Sequence, residues 1–362
     1  MTLVFFFEVG KAEFLQELRK FNVRNEKGFE LSQLGKLTEL GGSLEICDLE
    51  NVQTKEEADG AKLIHKSRLH ELILEWDINP SNINPTQERD VLESLRPHSN
   101  LRDLCIRGHG GINCPTWLDA NLSVKNLESL KLSNVSWKDL PPLGELFLVD
   151  ESGEERLSCA QSQIFHNLEK VELAKIERLR KWVVSCPHSV SYQNLKRLEL
   201  TKTSYIESGC VGNGACYLFA HLEVLIIQDC PELFEPLQWE GADKATTCFP
   251  KLTNLGMSYC WEVTGLGVMG QNAVATPPPL EEKMDLALAE NEQQQGRARE
   301  VQIPMSVEGL VRLPPQLQEL EINSCPGLRP QCNSLLAADY TVGEAGGGLR
   351  GLRSLRSFSF FV

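Results

Sequence analysis

The chain has 362 residues, 41% of them apolar and 24% charged, a balance that supports a packed core and excludes disorder as its resting state. A formal charge of −14 argues against a duplex-binding protein, which needs a basic footprint to displace counterions from phosphate. The 12 cysteines include no CxxC pair, so no zinc site is expected, and with no secretory signal read in the sequence they are expected as reduced thiols in core positions rather than a disulfide framework.

At the amino terminus, Leu3-Val4-Phe5-Phe6-Phe7 follows no basic residue and is too short for a signal-peptide core or a membrane span. It reads as a buried strand. A weak copy of the frame LxxLxL follows at Leu18-Phe21-Val23, and another at Leu44-Ile46 with Gly41 in the first slot. Thr54-Lys55-Glu56-Glu57 is a capping box, and Ala58, Ala61, Leu63 and Lys66 predict that its helix continues. A clean copy, Leu69-Leu72-Leu74, precedes a second helix from Gln87 to Leu95, which Pro97 stops.

Clean copies then recur at Leu101-Leu104-Ile106, Leu127-Leu130-Leu132, Leu168-Val171-Leu173, Leu195-Leu198-Leu200, Leu222-Leu225-Ile227 and Leu252-Leu255-Met257. The first-slot steps are 26, 41, 27, 27 and 30 residues, so the second carries an insertion. A further 65 residues separate Leu252 from Leu317-Leu320-Ile322. Within them, residues 271–303 hold Pro277-Pro278-Pro279 and a Glu/Gln/Ala-rich run, expected as a mobile insertion in one array spanning 1–362. Gly346-Gly347-Gly348 marks another loose stretch before a last weak copy at Leu355-Phe358-Phe360.

Three copies extend to LxxLxLxxC and place Cys230, Cys260 and Cys325 at one offset, which marks them as repeat-turn residues rather than nucleophiles. The two leucines of LxL point one way from a short strand, and no single repeat can bury that edge alone. The fold class is therefore an α/β repeat, a leucine-rich-repeat solenoid. Its parallel sheet lines the concave face; irregular turns and few short helices line the convex one.

The segment 31–118 goes further. Leu31-Ser32-Gln33-Leu34-Gly35-Lys36-Leu37, Leu49-Glu50-Asn51-Val52, Leu72-Ile73-Leu74-Glu75-Trp76, Val91-Leu92-Glu93-Ser94-Leu95-Arg96-Pro97-His98 and Pro115-Thr116-Trp117-Leu118 stand in series. This resembles the repeat domain of plant nucleotide-binding leucine-rich-repeat immune receptors, with His109 and Cys114 where that family often has tyrosine and phenylalanine. The resemblance implies a cytoplasmic protein-recognition module that senses a pathogen effector or a guarded host protein. It implies no small-molecule substrate and no membrane span. The family's phosphate loop is not read here: the nearest match, Gly28 to Gly35-Lys36-Leu37, has the wrong spacing and leucine for Ser/Thr. The alternative reading is a substrate-recruiting adaptor of a ubiquitin ligase.

No catalytic constellation stands out. His65 and His70 lack the HExxH spacing, Glu56-Glu57 and Glu154-Glu155 read as solvated turns, and Trp76, Trp117 and Trp137 as core. No cofactor, metal or catalytic residue is expected. The outward residues of each LxL strand form the candidate partner surface, represented by Glu71, Ile73, Arg107, Lys131, Arg197 and Glu199, with Glu75 laddered beside Arg107.

Overall fold

The computed structural model describes residues 8–78, 84–118, 123–138, 141, 148–149, 155–156, 167–176, 194–202, 221–230, 249–261, 263, 265–268, 310–331 and 352–361. Its strands open with β1 (Lys20–Asn22), β2 (Gly41–Cys47), β3 (Arg68–Glu75), β4 (Asp103–Arg107) and β5 (Ser129–Ser133). Next come β6 (Leu148–Val149), β7 (Glu155–Arg156), β8 (Lys170–Ala174), β9 (Arg197–Thr201) and β10 (Val224–Gln228). The chain continues through β11 (Asn254–Ser258), β12 (Gly265–Val268), β13 (Leu310–Leu313), β14 (Glu319–Asn323) and β15 (Ser357–Phe361). Eleven of these form one parallel sheet, in the order β1-β2-β3-β4-β5-β8-β9-β10-β11-β14-β15. The order follows the chain, as a leucine-rich-repeat solenoid requires.

The second leucine of each frame aligns across the sheet: Leu72, Leu104, Leu130, Val171, Leu198, Leu225, Leu255, Leu320 and Phe358 are successive register partners. All except Phe358 are buried, so each coil's apolar edge is closed by the next. Removing one such leucine side chain costs about 2–5 kcal/mol in a core of this kind. Both long intervals leave the sheet uninterrupted, because β5 pairs directly with β8 and β11 with β14. The first interval holds the antiparallel β6–β7 pair, and the parallel β12–β13 pair lies between β11 and β14. The expected insertion at 271–303, the run Leu3–Phe7 and Gly346–Gly348 lie outside the described residues.

Two expectations are corrected. In the first copy, Phe21 pairs with Ile46, the third slot of its neighbour, so the true frame lies two residues earlier than Leu18-Phe21-Val23. Apolar spacing alone cannot detect such a slip, because a shift of two keeps every side chain on its face. The first helix also ends sooner than predicted. α1 (Lys55–Asp59) is capped by Thr54, whose side chain accepts from Glu57 N, and Gly60 closes it. Lys66 is therefore not helical. It lies buried beyond a 3-10 turn at 63–65, where Nζ donates to Leu34 O at 2.7 Å and Leu37 O at 2.9 Å. Burial, helped by Lys62, lowers its pKa to about 8.

α2 (Pro85–Ser94) follows the prediction. Asn84 caps it by accepting from Gln87 N, and Val91 and Leu92 are buried. Gly35, the glycine of the near-match to a phosphate loop, has a packing role. A Cβ there would lie 2.1 Å from Gly60 O, and the adjacent Lys36 is exposed.

The residue after each sheet strand from β4 to β14 repeats a backbone device that the side chains conceal. Gly108, Asn134, Lys175, Lys202, Asp229, Tyr259 and Ser324 all have positive φ, between 49° and 74°. Each sends its N–H to the last strand carbonyl of the following coil, from Gly108 N to Ser133 O through to Ser324 N to Phe361 O. The left-handed kink turns the chain out of the sheet while keeping the hydrogen-bond ladder continuous.

Candidate functional site

The strands place outward residues in ranks on the concave face. Glu71, Asp103, Ser129, Lys170, Arg197, Val224, Asn254 and Glu319 are successive register partners; so are Ile73, Cys105, Lys131, Glu172, Glu199, Ile226, Gly256 and Glu321. All six candidate residues, Glu71, Ile73, Arg107, Lys131, Arg197 and Glu199, lie on this face and are half-buried. The structure thus brings them onto one surface, although they come from four different strands.

Their charges are not equivalent. Lys131 pairs with Glu172, and Lys170 reaches Glu172 at 3.9 Å and Glu199 at 3.4 Å. Arg197 Nε donates to Glu199 at 2.5 Å, closing a chain of alternating charge over three strands. Burial acts to raise the Glu199 carboxyl, but Arg197 and Lys170 hold it below its ordinary value. The predicted Glu75–Arg107 pair is present at 3.9 Å. Each such pair contributes little to stability at these exposures. Glu71 and Asp103, in contrast, are neighbouring acids. Burial raises the Asp103 carboxyl, and Glu71 and Glu128 add to the effect. The repeat frame places such residues side by side, as it did Glu75 and Arg107, but which charges meet within ion-pair distance depends on the side-chain rotamers.

The ligand atoms of Glu45, Cys47 and Glu75 lie within 4.8 Å of one another, a group that could approach a metal ion. The Cys47 thiol is 3.4 Å from a carboxylate oxygen of each glutamate. Burial pushes that thiol up to about 12, and Lys20 and Arg107 already face the two carboxylates at 3.2 and 3.9 Å. The chemistry favours a protonated thiol bridging two compensated acids. Among the described residues, the rings of His98, His109 and His221 meet Asn100 N, Trp137 Nε1 and Lys251 Nζ. A polar recess of about 390 Å³ lies off this face, lined by Leu49, Glu50, Gln53, Asn84, Gln87 and Glu88 among others.

Sequence reasoning placed Trp76, Trp117 and Trp137 in the core, and all are buried. It missed their partners. Trp117 Nε1 donates to Leu92 O and Trp137 Nε1 to His109 Nδ1, both at 2.9 Å. Buried Glu88 accepts from Gly110 N at 2.6 Å, tying α2 to the turn after β4. Among the described residues, no helix is long and apolar enough to cross a membrane.

Comparison with known proteins agrees with this architecture. Residues 31–151 match the family of R13L1/DRL21 leucine-rich repeats. The chain is 39% identical over 138 residues to disease resistance protein RGA2 of Solanum bulbocastanum, which covers 38% of this chain and 14% of that protein. It is 32% identical over 177 residues to putative disease resistance protein RGA1 of the same plant, covering 49% and 17%. A putative disease resistance RPP13-like protein 1 of Arabidopsis thaliana is 29% identical over 188 residues, covering 45% and 18%. The chain therefore spans less than a fifth of the length of these curated relatives.

Proposed function

With residues 31–151 forming a leucine-rich-repeat region like that of plant disease resistance proteins, we propose that this chain is a protein-recognition surface in plant defence. It acts in the cytoplasm by contact with a pathogen effector or a host protein, rather than by catalysis. The observation that carries the reading is the concave face: outward side chains, most of them half-buried or exposed, are presented in register from β3 to β14. A face whose residues point away from the core can change its side chains freely while the leucines behind it preserve the fold. Its length lets a partner collect small contributions from many coils and so reach an interface of ordinary size.

The test is a binding panel of purified effector proteins and host targets against the full chain. Ile73→Arg and Ile226→Arg on the concave face are compared with Arg89→Glu on α2. We expect the concave variants to lose at least about tenfold in affinity at an unchanged melting temperature, and the α2 variant to bind normally. The opposite pattern would place the partner on the other side of the solenoid.

A further inference from the structure

We infer that the concave face takes an extended protein segment that is basic at both ends and apolar between them, placed nearer one end than the other. This deepens the proposed function and rests on it. Every described cation on the face is within 4.0 Å of a carboxylate: Lys20 with Glu45, Arg107 with Glu75, Lys131 with Glu172, Lys170 with Glu172 and Glu199, and Arg197 with Glu199. The acids are not all so matched. Glu71 and Asp103 stand side by side on β3 and β4, and neither has an ion pair among the described residues. Among the described residues, Glu319 and Glu321 on β14 meet the neutral amides of Asn254 and Asn323 and no cation. The face is thus self-neutralised in its middle and negative at two separated places.

Like charges on neighbouring strands destabilise a sheet, and here the repulsion from Glu71 adds to the burial that chiefly raises the Asp103 carboxyl. A cationic partner group would relieve it. Between the acidic places, β10 presents Val224 and Ile226. Beside Ile226 the next strand has Gly256, whose absent Cβ would sit 3.6 Å from Ile226 Cγ1, so one flank of the isoleucine is open. An apolar side chain fits that step.

Strand spacing sets the ruler. Seven strand steps from β3 to β14 are about 34 Å at ~4.8 Å each, the reach of roughly ten extended residues. β10 lies five steps from β3 and two from β14, so the apolar preference should fall about seven residues from one basic end and about three from the other. Nucleic acid fails the same test, because its phosphates would meet the unmatched acids.

The probe is a displayed pool of random 12-residue peptides, panned on the full chain at low and moderate salt. Recovered peptides should be enriched in Lys or Arg at both ends, with an aliphatic or aromatic residue off-centre, and should weaken as salt rises. Charge reversal by Glu71→Lys with Asp103→Lys should cut their affinity by about tenfold or more and shift one end of the preference toward acidic residues. The milder pair Glu71→Gln and Asp103→Asn should cut it several-fold, and serves if the reversal unfolds the chain. Glu319→Lys with Glu321→Lys should shift the other end alone. No enrichment, an acidic preference, or indifference to all these changes overturns the inference. Hydrogen exchange separates it from the reading beneath it. Protection of β3 to β14 without a basic preference overturns only the partner chemistry, whereas protection of α1 and α2 instead overturns the concave face as the site.

Discussion

The coils up to β8 and those from β10 onward fill the same structural slot with different chemistry. Two residues past the strand the chain turns back into the core, at Leu49, His109, Val135 and Ile176 after β2, β4, β5 and β8, and at Cys230, Cys260 and Cys325 after β10, β11 and β14. The thiols are small and satisfied locally: Cys230, Cys260 and Cys325 donate to the carbonyls of Gln228, Ser258 and Asn323 at 3.2, 3.5 and 3.5 Å. His109 is larger and reaches across to another coil, accepting from Trp137 Nε1, with the Trp76 ring edge-on at 4.9 Å between centroids. Its Nε2 and the Trp76 Nε1 are buried without a hydrogen-bond partner among the described residues. The later coils are thus joined at this slot by long thiol contacts, Cys260 to Ile227 O and Cys325 to Met257 O at 3.9 Å among the described residues, while the earlier ones are tied together by a shared aromatic and polar cluster.

The comparison breaks if the two slots prove equally costly to empty. Trp137→Ala removes a fully buried indole and leaves His109 Nδ1 unpaired, and is expected to cost about 3–5 kcal/mol in denaturant unfolding. Cys260→Ala removes a small thiol whose nearest carbonyl, Ser258 O, belongs to its own coil, and should cost about 1 kcal/mol. Equal losses would mean that the later coils are as interdependent as the earlier ones.

Acid should distinguish the regions next. Burial holds the His109 imidazole at about 4, against an ordinary value of 6.5, so the unfolded chain binds the proton more readily than the folded one. Stability contributed by the neutral ring is complete above pH 6.5 and is lost as pH falls toward 4, to the extent of about 3 kcal/mol. Melting curves across that range should show the loss in the native chain and a shallower one in His109→Phe. Equal slopes would show that this histidine does not govern the earlier coils' response to acid.

Further effects sit at the kinks. Gly108 has φ 74°, and a Cβ there would lie 2.3 Å from Trp76 O, so Gly108→Ala should cost about 1–3 kcal/mol. Lys175 adopts φ 53° with an exposed side chain, and Lys175→Gly should be neutral or stabilise by up to about 1 kcal/mol. Thermal melts of both variants would sharpen the contrast between a glycine required by close packing and a kink that merely tolerates its side chain.

Legibility tracked the range of the interaction. The strands from Leu72 to Ile322, the turn cysteines, the cap at Thr54 and the helix at 85–94 were all readable, because each depends on side chains a few residues apart. The positive-φ kink was not, since Asn134, Lys202, Asp229, Tyr259 and Ser324 share a backbone angle and no side-chain type. Within the candidate surface, the six residues were assigned to the right face. Which of them are spoken for was hidden, because Lys131 meets Glu172 and Arg197 meets Glu199 only once strands and rotamers are set.

By itself the sequence determined the repeat, its period and the direction of each LxL side chain, since alternation along a strand is a local geometric necessity. Tertiary structure alone decided that β5 joins β8 and β11 joins β14 across the long intervals. It also decided that Lys66 is sealed on two carbonyls of the 31–37 segment, and that Glu71 and Asp103 meet as unneutralised neighbours. Those outcomes depend on which coils stack against which. Stacking is set by the summed burial of many side chains far apart in the chain, which no single window of sequence contains.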